Sequence, residues 1–205
     1  MVKTAKPSVE VITPIDSDFV YKLIERVGRI CYKSEHKITP DSATKFLKMI
    51  LKNGHESVIE HFNITVLIKC NRGVTHELVR HRLASYSQES TRYCLYSSDR
   101  FGNQITVIKP CYFEEFSELY LEWEEAMADA EKHYNNLVKL GATAQEARGV
   151  LPIALKTEIA ITANLREWRH IFKLRRSEKA HPEIKHVMDM IYNEFSKTLK
   201  EVFNE

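Results

Sequence analysis

Phe62, Ile64, Val66 and Ile68 alternate with Asn63, Thr65 and Lys69. A period of two places every second side chain on the same face, so 62–70 reads as a strand buried on one side. A second alternating stretch follows at 155–163, and most of the remaining chain is written in a helical period. Val20, Leu23, Ile24, Val27 and Cys31 form one stripe, and Ala43, Phe46, Leu47, Ile50 and Leu51 form another. The longest stripes are Phe116, Leu119, Tyr120, Trp123, Met127, Ala130, Tyr134 and Leu137, then Ile184, Val187, Met188, Ile191, Phe195, Leu199 and Val202. A few strands that are not consecutive, set among many helices, predict an α+β fold. We expect one helix-rich domain over 1–205 with a small mixed or antiparallel sheet.

Punctuation sets the expected boundaries. A short strand at 9–13 stops at Pro14, and Ser17 is expected to cap the first helix. The second helix is expected to begin at Thr39-Pro40-Asp41 with proline in its first turn, and to end at Asn53-Gly54. A helix is expected over 72–83, an ordered loop over 84–104 and a short strand at 105–108. The long helix spans 114–140 up to Gly141, and a short one over 144–150 stops at Pro152. Helices are expected at 164–176 and 182–203.

Composition narrows the function. The chain has 205 residues, 43% hydrophobic and 28% charged. That balance suits a globular core and excludes a disordered chain, a collagen-like repeat and a coiled-coil rod. The net charge is +2, well below that of a protein built to coat nucleic acid. Apolar runs are only a few residues long, whereas a membrane span needs about 20. The first residues carry no apolar core of a signal peptide, and Cys31, Cys70, Cys94 and Cys111 form no CxxC pair. The cysteines are therefore expected to be reduced thiols with structural roles, and the compartment cytoplasmic.

The densest polar stretch is RHRLASYSQESTRY at 80–93. Arginine presents a planar fork that fits phosphate or carboxylate through two parallel bonds. Ser85, Ser87, Ser90 and Thr91 add hydroxyls, while Tyr86 and Tyr93 add flat faces, so the stretch looks like a nucleotide-phosphate cradle. A second basic cluster holds Arg166, Arg169, Lys173, Arg175, Arg176, Lys179 and Lys185. The run HESVIEH at 55–61 places no histidine at either spacing of a helical zinc motif, so no metal is expected. The six glycines form neither a dinucleotide-binding turn nor a phosphate loop, and no GxSxG elbow occurs. Any nucleotide would be held by side chains. A nucleic-acid-binding module would use the same arginines, with a steep salt dependence. A flavin-binding protein without synthase activity is the other alternative.

RHRLASYSQES at 80–90 fits Arg-His-Arg followed by seven residues and a serine, and in this it resembles the flavin-dependent thymidylate synthases. GHESVIEH (54–61), EARGVLP (146–152), NLREWRHI (164–171) and LRRSEKAHPEI (174–184) are similar to further segments of that family, in its order. The resemblance implies conversion of dUMP to dTMP, with methylenetetrahydrofolate as carbon donor, FAD as redox centre and NADPH as reductant. It also implies a homotetramer whose active sites are shared between subunits, with no nucleic acid or membrane partner. His55, Ser57, Arg80, His81, Arg82, Gln88, Asn164, Arg166 and His170 match cofactor-binding positions. Glu77, Arg80, Gln88, Glu89, Ser90, Thr91, Arg92, Arg148 and Arg175 match substrate-binding positions. Gln88 stands where many members carry Glu, and His181 where the family often has Gln or Asp.

The implied chemistry needs a way to activate C5 of uracil. A cysteine nucleophile requires an electropositive setting, and Pro110-Cys111-Tyr112 lacks the histidine that follows the cysteine of the classical synthases. A serine alkoxide requires a neighbouring base. Of the two candidate catalytic residues, Ser90 is therefore read as a hydrogen-bond donor to dUMP. Arg175 is read as the charge that stabilises the anionic pyrimidine beside N3 and O4.

Overall fold

The structure is a computed structural model that describes residues 2–204. Its strands are β1 (Lys3–Ala5), β2 (Ser8–Val11), β3 (Asn63–Asn71), β4 (Ala84–Gln88), β5 (Thr106–Ile108) and β6 (Lys156–Asn164). Its helices are α1 (Ser17–Ile30), α2 (Ser42–Lys52), α3 (Arg72–Leu78), α4 (Glu118–Lys139), α5 (Ala144–Ala147), α6 (Leu165–Arg175), α7 (Pro182–Thr198) and α8 (Lys200–Phe203). Four strands form a sheet in the order β2-β3-β6-β4, and β1 pairs with β5 in parallel. The α+β class expected from the two periodicities is the class observed.

The described residues cluster into two compact units assembled from separate stretches. One comprises 9–67, 81–86 and 161–205. Its core gathers Ile24 of α1, Leu47 of α2, Ile64 of β3 and Ile161 of β6, all fully buried. Trp168 and Phe172 of α6, Phe195 of α7 and Phe203 of α8 meet edge to face or tilted, with ring centroids 5.2–5.7 Å apart. Burial of each such side chain contributes about 1.5–3 kcal/mol. Trp168 also donates its indole N–H to the Ile64 carbonyl at 3.2 Å, which ties α6 to β3.

The other unit comprises 1–8, 68–80 and 87–160. Its core is built on Tyr96, Ile105, Val107, Tyr134 and Leu155. Tyr134 of α4 is fully buried and its hydroxyl accepts from the Tyr96 backbone N–H at 3.2 Å. Glu131 of the same helix accepts from the Ile105 N–H at 2.8 Å, so the long helix anchors the chain on both sides of the turn before β5.

Several boundaries differ from the expectations, each for a local reason. Asp16, one residue earlier than expected, caps α1 by accepting from the Asp18 and Phe19 N–H groups. Helix α2 starts at Ser42, after Pro40, because Thr39 N–H donates to the Ser42 hydroxyl while that hydroxyl donates to Glu25. Helix α3 stops at Leu78, leaving Arg80-His81-Arg82 outside any helix. Residues 84–88 are a strand, where a loop was expected. Its more buried face carries Ala84, Tyr86 and Gln88 against exposed Ser85 and Ser87, and because Tyr86 and Gln88 use that face for hydrogen bonds, a hydrophobicity pattern does not reveal it. Helix α4 begins at Glu118 behind its Ser117 cap, and Phe116 and Leu119 face outward rather than inward. Leu199 breaks the last helix, and α8 returns Val202 and Phe203 to the core. Strand β1 is too short to carry a period and was not expected. Of the cysteines, Cys70 is buried and Cys94 half-buried, but Cys31 and Cys111 are exposed, so a structural role in the core does not extend to all four.

Candidate active site

In the unit that holds α6, the site is built around that helix. Asn164 caps it by accepting from the Glu167 N–H at 2.8 Å, and places Glu167 in the first turn. A carboxylate there is favoured by the helix dipole. Its side chain is nevertheless 8% exposed and lies 3.5 Å from Nδ1 of His81, whose own side chain is 4% exposed. Burial raises the Glu167 carboxyl above the usual range. The opposite edge of the His81 ring, Nε2, accepts from Nε of Arg175 at 3.0 Å. Burial, followed by the charges of Arg175 and His170, pushes the His81 imidazole down to about 4. At neutral pH the ring is therefore uncharged. Because Nε2 accepts a hydrogen bond, the ring proton sits on Nδ1, toward Glu167.

Two further contacts meet His81, one at its backbone and one at its ring. The Tyr86 hydroxyl donates to the His81 carbonyl at 2.8 Å. Burial, with the nearby Glu167 charge, pushes that hydroxyl up to about 12, so it stays protonated and able to donate. His170 meets the His81 ring edge-on, with centroids 5.7 Å apart.

The ligand atoms of His81, Glu167 and His170 lie within 4.8 Å of one another. The Arg175 charge beside the trio opposes a cation there.

Beside α6 lies an open cavity of about 1110 Å³. Arg166, Arg169, Lys173 and Arg176 line it, with Tyr192, Phe172 and Phe203 as its flat walls. Arg166 pairs with Glu60 at 2.6 Å, and Arg169 with Glu56 at 3.2 Å. Arg169 also donates to the Val202 carbonyl, which ties it to α8. Arg176 stacks 3.5 Å over the Tyr192 ring and pairs with Asp189 at 2.6 Å. Glu56, Glu60 and Glu167 also line the cavity, so its charge is mixed, and a ligand with both an anionic group and a planar ring would meet Arg and Lys side chains and aromatic faces there. Of the residues expected at a cofactor, Asn164, Arg166 and His170 line this cavity, whereas His55, Ser57, His81 and Arg82 do not. His55 and Ser57 are exposed on the turn after Gly54, whose φ of +70° suits glycine. Arg82 is exposed and its side chain makes no hydrogen bond or ion pair among the described residues.

The other unit holds the remaining candidates. Gln88 donates its amide to the Thr75 and Thr157 hydroxyls at 3.0 and 3.3 Å. Both carboxylate oxygens of Glu89 are engaged: Oε1 accepts from the Tyr96 hydroxyl at 2.8 Å and Oε2 from Lys156 at 2.9 Å. Burial, then the Glu89 carboxylate, raises the Tyr96 hydroxyl. Burial opposes the charge on Lys156, yet Glu89 and Glu158 more than offset it. Glu89 thus anchors the turn that follows it. In that turn the Ser90 carbonyl accepts from the Tyr93 and Cys94 N–H groups at 3.1 and 3.0 Å. The Ser90 hydroxyl accepts from the Arg92 N–H at 3.3 Å and has no acid or base as a hydrogen-bond partner among the described residues.

Thr91 is buried, and Arg92 extends over the Tyr93 ring, 5.4 Å from its centroid. Arg80 and Arg148 are exposed, with no side-chain hydrogen bond or ion pair among the described residues, and Glu77 is half-buried on α3. Sequence patterns had missed Glu167, Asp189 and Tyr192. The one available signal was Asn164-x-x-Glu167, the spacing of a helix cap and its third residue.

Residues 16–199 match the family described as thymidylate synthase complementing protein. Over 166 residues the chain is 40% identical to the flavin-dependent thymidylate synthase of Pyrococcus abyssi, covering 80% of this chain and 67% of that protein. It is 37% identical over 185 residues to the enzyme of the same description from Pyrococcus furiosus, covering 90% and 75%. A third, from Geobacter sulfurreducens, is 39% identical over 165 residues. Among solved structures, a UMP/dUMP methylase from Streptomyces cacaoi bound with 5-Br dUMP superposes with a TM-score of 0.78. That match covers 98% of this chain and 95% of the other at 20% identity, a likeness of fold.

Proposed function

The chain belongs to the thymidylate synthase complementing protein family, the flavin-dependent thymidylate synthases, and from that premise we propose how its own residues serve the methylation of dUMP to dTMP. The observation that carries the proposal is the half-buried Arg175 guanidinium, which donates to a buried, neutral histidine. A fixed positive charge stabilises the anionic pyrimidine and shifts electron density toward C5 without a covalent bond to the enzyme. The free ends of Arg80, Arg92 and Arg148 supply forks for the dUMP phosphate. Ser90 donates to dUMP, since nothing beside its hydroxyl would take its proton. Glu77, Gln88 and Thr91 complete the substrate contacts, with Glu89 holding their turn in place.

The cavity beside α6 would hold a flavin adenine dinucleotide, with Arg166, Arg169, Lys173 and Arg176 available to its pyrophosphate and Tyr192, Phe172 and Phe203 available to its rings. Asn164 and His170 contact it there, and His55, Ser57, His81 and Arg82 add contacts outside that cavity. Bound reduced FAD supplies the hydride, NADPH the reducing equivalents and methylenetetrahydrofolate the carbon. The protein's part is to position these groups and polarise the base. We place residues 1–205 in one catalytic domain that works as a homotetramer with shared active sites. It acts in the cytoplasm without nucleic acid or membrane partners; no helix among the described residues is long and apolar enough to cross a membrane.

The test is release of tritium from 5-tritiated dUMP by the flavin-loaded protein, with and without methylenetetrahydrofolate. Folate-dependent release, with bleaching of a flavin spectrum by NADPH, is expected. A colourless preparation that still methylates dUMP, or a stable adduct between the protein and the pyrimidine, would overturn it.

A further inference from the structure

We propose that Glu167 is a positioning residue for Arg175, acting through His81: its carboxylate keeps the ring proton on Nδ1, so that Nε2 remains a bare acceptor for the guanidinium. The inference rests on the reading that Arg175 polarises the base. Two observations carry it. First, the three side chains are in line, with Glu167 Oε1 3.5 Å from His81 Nδ1 and Arg175 Nε 3.0 Å from His81 Nε2. Glu167 lies in the first turn of α6 and Arg175 is its last residue, so one ring joins both ends of the helix.

Second, the Glu167 carboxylate takes no part in the helix cap. A glutamate three residues after a cap ordinarily reaches back to the N–H of the capping residue. Here it makes no side-chain hydrogen bond among the described residues, and faces His81 and the edge of His170. The residue lines the open cavity beside α6, and one carboxylate oxygen stands opposite Nδ1. In the other tautomer an N–H on Nε2 would point at the Arg175 N–H, donor against donor. The hydrogen bond from the guanidinium to the ring would then be lost. The 3.5 Å gap is longer than a good hydrogen bond, so the carboxylate acts mainly through its charge. A carboxylate that orients a histidine, which in turn acts on the reacting partner, is a recurring device in catalysis.

The experiment reads the tautomer directly. In flavin-loaded protein labelled with nitrogen-15 in histidine, the His81 ring nitrogens are assigned at neutral pH by comparison with His81→Gln. A protonated Nδ1 and a bare Nε2 are expected in the wild type. Glu167→Gln, which keeps the shape of the side chain and removes its charge, is expected to weaken the preference for that tautomer and to lower kcat about 10-fold. Glu167→Ala is expected to lose the single tautomer and about 10- to 100-fold in kcat, with flavin content and the KM for dUMP little changed.

A wild-type His81 protonated on Nε2, or Glu167→Ala with unchanged tautomer and kcat, would overturn the proposal. If Glu167→Ala does not fold, the wild-type spectrum and Glu167→Gln decide it. The nitrogen spectra need no turnover, so failure to act on dUMP would sink the assigned reaction while the spectra judge the relay separately.

Discussion

At the scale of single residues, the direction of one hydroxyl selects an amide over an acid. Thr75 donates its hydroxyl proton to the Arg72 carbonyl at 2.9 Å, so toward Gln88 it can only accept. A carboxylate in place of the Gln88 amide would set acceptor against acceptor. Gln88→Glu is therefore expected to cost about 1–3 kcal/mol at neutral pH, the range for a buried polar group left unpaired. Denaturant melts will show the deficit shrinking as pH falls, because the introduced carboxyl regains a donor once it is protonated. Arg175→Lys is expected to fold normally yet lose most turnover in the tritium assay, since an ammonium cannot reproduce the planar fork.

His81 also sets a pH dependence. Its folded-state value of about 4 lies below the 6.5 of an ordinary histidine, so the unfolded chain takes up a proton first as pH falls. Its contribution is fully present above pH 6.5 and lost on the way down to 4, about 3 kcal/mol in total. Stability curves of His81→Gln are expected to lack that part of the acid slope. The candidacy of Arg175 and His81 was legible from their motifs. That a histidine is what holds Arg175 was not, because nothing local relates residues separated by 94 positions.

At the scale of elements, α1 and α2 approach each other closely at a position that admits no side chain. A Cβ on Gly28 would lie 2.6 Å from Cζ of Phe46 and 3.0 Å from Cγ1 of Val58. Phe46 is itself pinned, buried at 8% exposure with Arg29 stacked 4.9 Å from its centre. Gly28→Ala is thus expected to destabilise by about 1–3 kcal/mol in thermal melts, despite the better helix propensity of alanine. The two stripes that meet there were plain in the helical period, but the closeness of the approach was not. Strand β4 teaches the converse lesson: Tyr86 and Gln88 turn inward to hydrogen-bond with His81 and with Thr75 and Thr157, so its inner face is polar and leaves no hydrophobic trace.

At the scale of the whole molecule, several arginines remain unspent. The side chains of Arg80, Arg82 and Arg148 have no hydrogen bond or ion pair among the described residues, and guanidinium groups gathered for anionic ligands are expected to be left in this way until the ligands arrive. Native mass spectrometry of the purified protein is expected to give four times the 23.9 kDa of the chain, with flavin retained. A monomer that is fully active in the tritium assay would refute the shared active sites. Periodicity and residue identity are properties of neighbouring positions. By themselves they determined the α+β class, the order of most elements and the arginine-rich segments proposed to carry the chemistry. The tertiary structure alone decided which partner each charged or polar group meets: Glu167 with His81, Arg176 with Asp189 and Tyr192, Glu89 with Lys156 and Tyr96. Those pairings depend on distances between side chains from separate stretches of chain, and only the packing of the fold sets them.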